Sequence, residues 1–134
     1  MKKIVLDTNV LLVSISSKSK FHWIFKNLIN GKFTLCLTSD ILLEYEEIID
    51  THMGSIASKS VLLVIQNLPN VVFVTNYFKF NLLKDEDDNK FVDCAIASNA
   101  QFIVSHDKDF NVLKKINFPK VTVINTTDFK LLFK

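Results

Sequence analysis

The acidic residues of this chain are gathered where chemistry could use them. Asp85, Glu86, Asp87 and Asp88 stand in a row, Asp93 follows inside an apolar segment, and Asp107 and Asp109 close the stretch. Two further acids are placed with equal economy. Asp7 comes directly after the apolar run Ile4-Val5-Leu6, and Glu44 sits early in a helical segment that follows another such run. Carboxylates brought into one cleft repel, and a hard divalent cation with oxygen ligands, Mg²⁺ or Mn²⁺, turns that repulsion into binding. Such an ion activates water and stabilises charge on a phosphoryl oxygen, so the reaction suggested is hydrolysis of a phosphodiester.

Positioning these acids requires a particular kind of scaffold. Short β-branched runs are expected as strands at Ile4–Leu6, Phe33–Thr38, Val71–Thr75, Phe102–Val104 and Val121–Ile124. Helical patterning falls between them. Val10–Ser17 is a weak helix, and a second follows Ser19 as its cap and stops at Gly31. Ser39 is the expected N-cap of a helix from Asp40 to about Asp50, with Ile41, Tyr45, Ile48 and Ile49 on one face. Further helices are expected within Ile56–Leu68, over Asn89–Ala100, over Asp107–Ile116 and over Thr127–Phe133. Strands alternating with helices predict an α/β fold, a three-layer α/β/α sandwich around a mainly parallel sheet of four to five strands. In a parallel sheet Asp7, Glu44 and Asp107, together with Asp88 at the start of its helix, all fall along one edge.

Composition narrows the possibilities. A length of 134 residues predicts one domain over 1–134, and 49% hydrophobic residues supply a core. The net charge is only +2, and all 16 basic residues are Lys, so no bidentate Arg fork can hold a phosphate. Two glycines exclude a Walker A loop and a dinucleotide fingerprint, which need glycine clusters. Cys36 and Cys94 lie in apolar runs and read as reduced and buried. No leader or membrane-length apolar run is visible, so a cytoplasmic protein without membrane contact is expected.

Four blocks carry a resemblance to a known family: IVLDTNVLL at 4–12, TSDILLEY at 38–45, DEDDNKFVDCAIASNA at 85–100 and FIVSHDKDF at 102–110. Together they resemble the PIN domain, most of all the VapC-like toxin components of toxin–antitoxin pairs. The resemblance implies an endoribonuclease dependent on Mg²⁺ or Mn²⁺, an RNA substrate, a small antitoxin that fills the groove, and a homodimer. It also implies roles. Asp7 matches the first metal-binding acid, Asn9 the residue supporting it, Glu44 the second acid and Asp107 the fourth. Ser105 stands where the family has Thr, and Asp109 matches a frequent extra acid. For the third acid the family spacing selects Asp88, 19 residues before Asp107, over Asp93, 14 before it.

The residues themselves leave some choices open. On a helical wheel Glu44 and Glu46 border the apolar face equally, and Glu47 is a further rival. Asp85, Glu86 and Asp87 read as solvated acids favoured by the helix dipole. Asp93, between Val92 and Cys94, suits either a supporting acid of the metal site or a local pair with Lys90. His106 and the other two histidines share no spacing that makes a zinc site or a triad. Two competing functions remain. One is a PIN-like module that binds RNA or a partner without turnover. The other is a phospho-acceptor with Asp7 as nucleophile, which Asn9 counts against because such sites usually carry a second Asp there.

Overall fold

The computed structural model describes residues 1–133. Five strands form one sheet in the order β3-β2-β1-β4-β5, every neighbouring pair parallel. They are β1 (Lys3–Leu6), β2 (Thr34–Leu37), β3 (Val71–Phe73), β4 (Phe102–Val104) and β5 (Val123–Ile124). β1 is central, and Ile4, Val5 and Leu6 are wholly buried, as a continuous apolar run in a doubly covered strand requires. Its register against β4 pairs Leu6 with Val104, so the two strands end level.

The helices are α1 (Thr8–Ile15), α2 (His22–Ile29), α3 (Ser39–Met53), α4 (Ser55–Asn67), α5 (Glu86–Ser98) and α6 (Thr126–Leu131), with a 3₁₀ helix at Lys108–Lys115. Connections from β1 to β2 to β3 run one way along the sheet, and those from β3 to β4 to β5 run the other way. Right-handed crossovers then put α1–α4 on one face and α5 with the 3₁₀ helix on the opposite one. The expected α/β/α architecture is therefore observed. The direction of travel reverses between β1 and β4, and open α/β sheets place their ligands at the carboxyl ends of strands at such a point.

Several boundaries differ from the sequence reading, each for a local reason. Thr38, not Ser39, caps α3, because its side chain accepts from the Ile41 N–H. The helix expected after Ser19 begins later, at His22, since the Ser19 hydroxyl accepts from Phe21 N–H in a turn of its own. α5 starts three residues before Asn89. Asp85 is its N-cap and accepts from the Asp87 N–H, and three acids occupy the first turn, where the helix dipole favours them. The face Ile41, Tyr45 and Ile49 of α3 is buried as expected, with Ile48 only partly covered. Gly31, at φ 72°, closes α2 in the left-handed conformation that glycine adopts without strain. Cys36 and Cys94 are both free and buried, and burial pushes the Cys94 thiol up to about 12.

Candidate metal centre

Asp7 follows β1 without a break. Its N–H donates to the Val104 carbonyl and its own carbonyl accepts from Leu11 N–H, so strand, acid and α1 form one rigid corner. Ser105 occupies the matching place after β4. Its hydroxyl donates to Asp7 Oδ2 at 2.7 Å and accepts from the Asp107 N–H at 2.9 Å. A single buried hydroxyl thus ties two site acids together across the point where the sheet order reverses. Asp107 is fixed further by the Asp109 N–H, which donates to its Oδ1 at 2.9 Å. Asp107 and Asp109 themselves are exposed.

Like charges surround Asp7 and Asp88. Burial raises Asp7 above the ordinary carboxylate value. The Ser105 hydroxyl lowers it, Asp107 raises it, the Asn9 peptide N–H lowers it, and Glu44 raises it again. Asn9 therefore acts on Asp7 through its backbone, while its side chain is exposed. Asp88, in the first turn of α5, is pushed from 3.8 up to about 6, first by burial and then by the charges of Asp107, Asp85, Asp7 and Asp109. Its Oδ2 is the one buried side-chain nitrogen or oxygen among the described residues that has no hydrogen-bond partner. A buried carboxylate oxygen left without a donor is costly, and more so with four like charges beside it.

Glu44 reaches the same edge from α3 but is satisfied. Thr8 Oγ1 donates to its Oε2, and Lys90 Nζ on α5 meets its Oε1 at 2.7 Å. The local pair of Lys90 with Asp93 that spacing allows does not form, and Lys90 turns to Glu44 instead. Glu46 and Glu47 make no hydrogen bond through their side chains, which leaves Glu44 as the α3 acid that charges Asp7.

Asp93 faces elsewhere. Five residues after Asp88 is about 140° round an α-helix, and its Oδ1 accepts from the Phe80 N–H at 3.1 Å. Burial raises its pKa, while Phe80 N–H and Lys79 lower it; none of the site acids contributes. Nearby, Asn89 clamps Leu83 twice, accepting from its N–H and donating to its carbonyl. The segment before α5 is thereby pinned to that helix at two places. His106, next to Asp107, pairs its ring nitrogen with Thr126 Oγ1 at 3.0 Å and does not enter the acid cluster.

Two overlapping acid sets result, with Asp88 common to both. The charge of Asp107 raises both Asp7 and Asp88, Asp7 raises Asp88 as well, and Glu44 raises Asp7. Carboxylate oxygens of Asp85, Asp88 and Asp109 also lie within 4.8 Å of one another. The sequence reading missed Asp85, Thr8 and Lys90. For Asp85 a signal existed: a position three before Asp88 lies on the same side of a helix start. The donor set is all oxygen, and with an orphaned buried oxygen on the acid common to both sets it fits a hard divalent cation. Beside it, between α3 and α5, an open groove of about 700 Å³ is lined by Glu44, Glu47, Asp87, Asp93, Lys79 and Lys90 among others. No helix among the described residues is long and apolar enough to cross a membrane.

Comparison with known proteins agrees with this geometry. VapBC2 from Rickettsia felis, solved with a DNA fragment from its promoter, superposes at a TM-score of 0.64 with 17% identity, over 92% of this chain and 98% of that one. The Mycobacterium tuberculosis toxin VapC20, described as cleaving the sarcin-ricin loop, gives 0.59 and 16%, over 81% and 92%. The PIN domain endonuclease Utp24 gives 0.53 and 14%, over 92% and 84%. At these identities the likeness is one of fold. No curated protein sequence matches the chain. The PIN domain sequence pattern, however, matches residues 3–109. That span contains every acid of the cluster, and the chain belongs to the PIN domain family.

Proposed function

We propose that this chain is an endoribonuclease dependent on Mg²⁺ or Mn²⁺ and the toxin of a toxin–antitoxin pair. The observation that carries the reading is Asp88, whose buried oxygen lacks a donor while four acids crowd it. A carboxylate in that state is relieved by a proton at low pH and by a cation at neutral pH. Asp7, Asp88 and Asp107 would hold the metal, and Glu44 stands at the same edge with its two oxygens engaged by Thr8 and Lys90. A bound divalent ion supplies Lewis acidity towards a phosphodiester and cancels the repulsion among the acids.

The remaining work falls to the chain's own residues. Ser105 fixes the Asp7 carboxylate and the Asp107 backbone at once, and the Asp109 N–H holds the Asp107 carboxylate. The Asn9 peptide N–H lowers the Asp7 pKa and so favours its charged form. Asp93 fastens the segment around Phe80 to α5 and so serves the fold rather than the metal. The likeness to VapC20 supports RNA as the substrate, and the likeness to VapBC2 supports an antitoxin partner. The acid-lined groove favours a Lys- or Arg-bearing segment of such a partner by charge complementarity. A homodimer in the cytoplasm belongs to the same reading.

The deciding experiment combines Mn²⁺ calorimetry with cleavage of single-stranded RNA by the wild type and by Asp7→Ala. Wild-type cleavage should require the metal and stop with EDTA, and the variant should lose it. Undiminished cleavage by Asp7→Ala sinks the assignment, and metal binding without cleavage of any RNA would favour a non-catalytic binding module.

A further inference from the structure

Glu44 differs from the other acids at the sheet edge in having both carboxylate oxygens engaged by the chain itself. Thr8 donates to one and Lys90 to the other. The Lys90–Glu44 contact is the one ion pair among the described residues, and each side chain is only 22% exposed. It is also a selective contact. Glu86, Asp87 and Asp93 stand four before, three before and three after Lys90 on the same helix, within local reach. Lys90 instead spans to α3, 46 positions away in sequence. It lies two residues after Asp88, so the helix that delivers the unpartnered carboxylate also delivers a fixed positive charge.

We infer that Lys90 is the resident cation of Glu44: it withholds that carboxylate from the metal, so the chain takes a single divalent ion on the Asp88 side. This deepens the metal-dependent reading above and rests on it. Electrostatics does the excluding. A second divalent ion on Glu44 would have to share the carboxylate with an ammonium already in contact, and two cations at such range repel strongly. The ammonium then stands as the second positive charge of the site. In a chain with no Arg, a Lys held by an ion pair at the metal edge is the available point charge for a phosphate oxygen. Lys90 is a positioning residue for Glu44.

The test is calorimetric titration of Mn²⁺ into the full chain, with free Mn²⁺ counted by electron paramagnetic resonance. Wild type, Lys90→Gln and Lys90→Arg are compared without RNA. Wild type and Lys90→Arg should bind one ion per chain. Lys90→Gln, with Glu44 released, should bind a second. Equal ion number and affinity in wild type and Lys90→Gln would overturn the role of Lys90 alone, and so would two ions in the wild type. That role falls equally if Lys90→Arg changes as Lys90→Gln does, because the effect would then be one of packing rather than charge. A wild-type chain that takes no Mn²⁺ overturns the metal reading itself and this inference with it.

Discussion

Asp88 and Asp93 lie on one helix, five residues apart, and burial raises the pKa of both. They have opposite fates. Asp93 is 4% exposed, deeper than Asp88, yet it has a donor in the Phe80 N–H and no acid near enough to charge it. Asp88 is less buried but has an oxygen with no partner and four like charges around it. Burial by itself therefore does not mark a reactive carboxylate. Asp93 is buried and satisfied, and it fastens a loop. Asp88 is buried and frustrated, and frustration that folding tolerates is what a ligand can relieve.

The contrast can be broken by mutation, most severely at Asp88. Asp88→Asn should lower RNA cleavage and Mn²⁺ affinity by more than about 100-fold, beyond the range expected for a residue that merely supports a ligand. Without metal, the same variant should be more stable than wild type by about 1 kcal/mol, a figure discounted because the group is partly exposed. Thermal unfolding in EDTA measures it, and a less stable variant would remove Asp88 from the frustrated class. Ser105→Ala should cut cleavage about tenfold. It should also move the acid limb of the pH–rate profile upward, because Asp7 loses the bond that lowers its pKa. Ser105→Thr, which keeps the hydroxyl, should restore both.

Asp93→Ala should act on stability instead. Leaving the Phe80 N–H without its partner costs about 1–2 kcal/mol, read as a lower midpoint in urea. Cleavage per folded molecule and Mn²⁺ affinity should stay at wild-type values. Lost metal binding at unchanged stability would erase the distinction between the two aspartates. The smallest effect is the pH dependence of the metal-free protein. Asp88 titrates at about 6 when folded against 3.8 ordinarily, so the folded form binds its proton more tightly. Its contribution is fully present below pH 3.8 and is lost as the pH rises through 6. The difference between wild type and Asp88→Asn in EDTA should therefore shrink as pH falls through that window and reappear above it.

Much of this was legible in the chain. Apolar runs that end abruptly in Asp7 and Ser105 located the edge, because a buried parallel strand has little alternative to such a run. The spacing that selected Asp88 over Asp93 agrees with which of them gathers like charges. Less visible was the start of α5. Asp85, Glu86 and Asp87 read as solvated acids, yet Asp85 caps the helix and brings its carboxylate to Asp88 and Asp109. Lys90 was hidden for a different reason. Local pairs on a helix can be read from spacing, but a contact across 46 positions depends on how two helices meet over a sheet edge. The bond from Ser105 to Asp7, across 98 positions, is tertiary in the same way.

Tyr45 supplies a last point. Its hydroxyl, wholly buried and with a pKa raised well above the phenol range, donates to the Leu6 carbonyl at 2.6 Å. Glu44 is its neighbour on α3, and Asp7 is the neighbour of Leu6 on β1. The bond works as an alignment pin set one residue behind each working tip. Sliding α3 by one turn would carry Glu44 about 5.4 Å along its axis, far outside the reach of Thr8 or Lys90. Because the pin is a donor that stays protonated and sees no solvent, the spacing of the two tips does not depend on what occupies the groove.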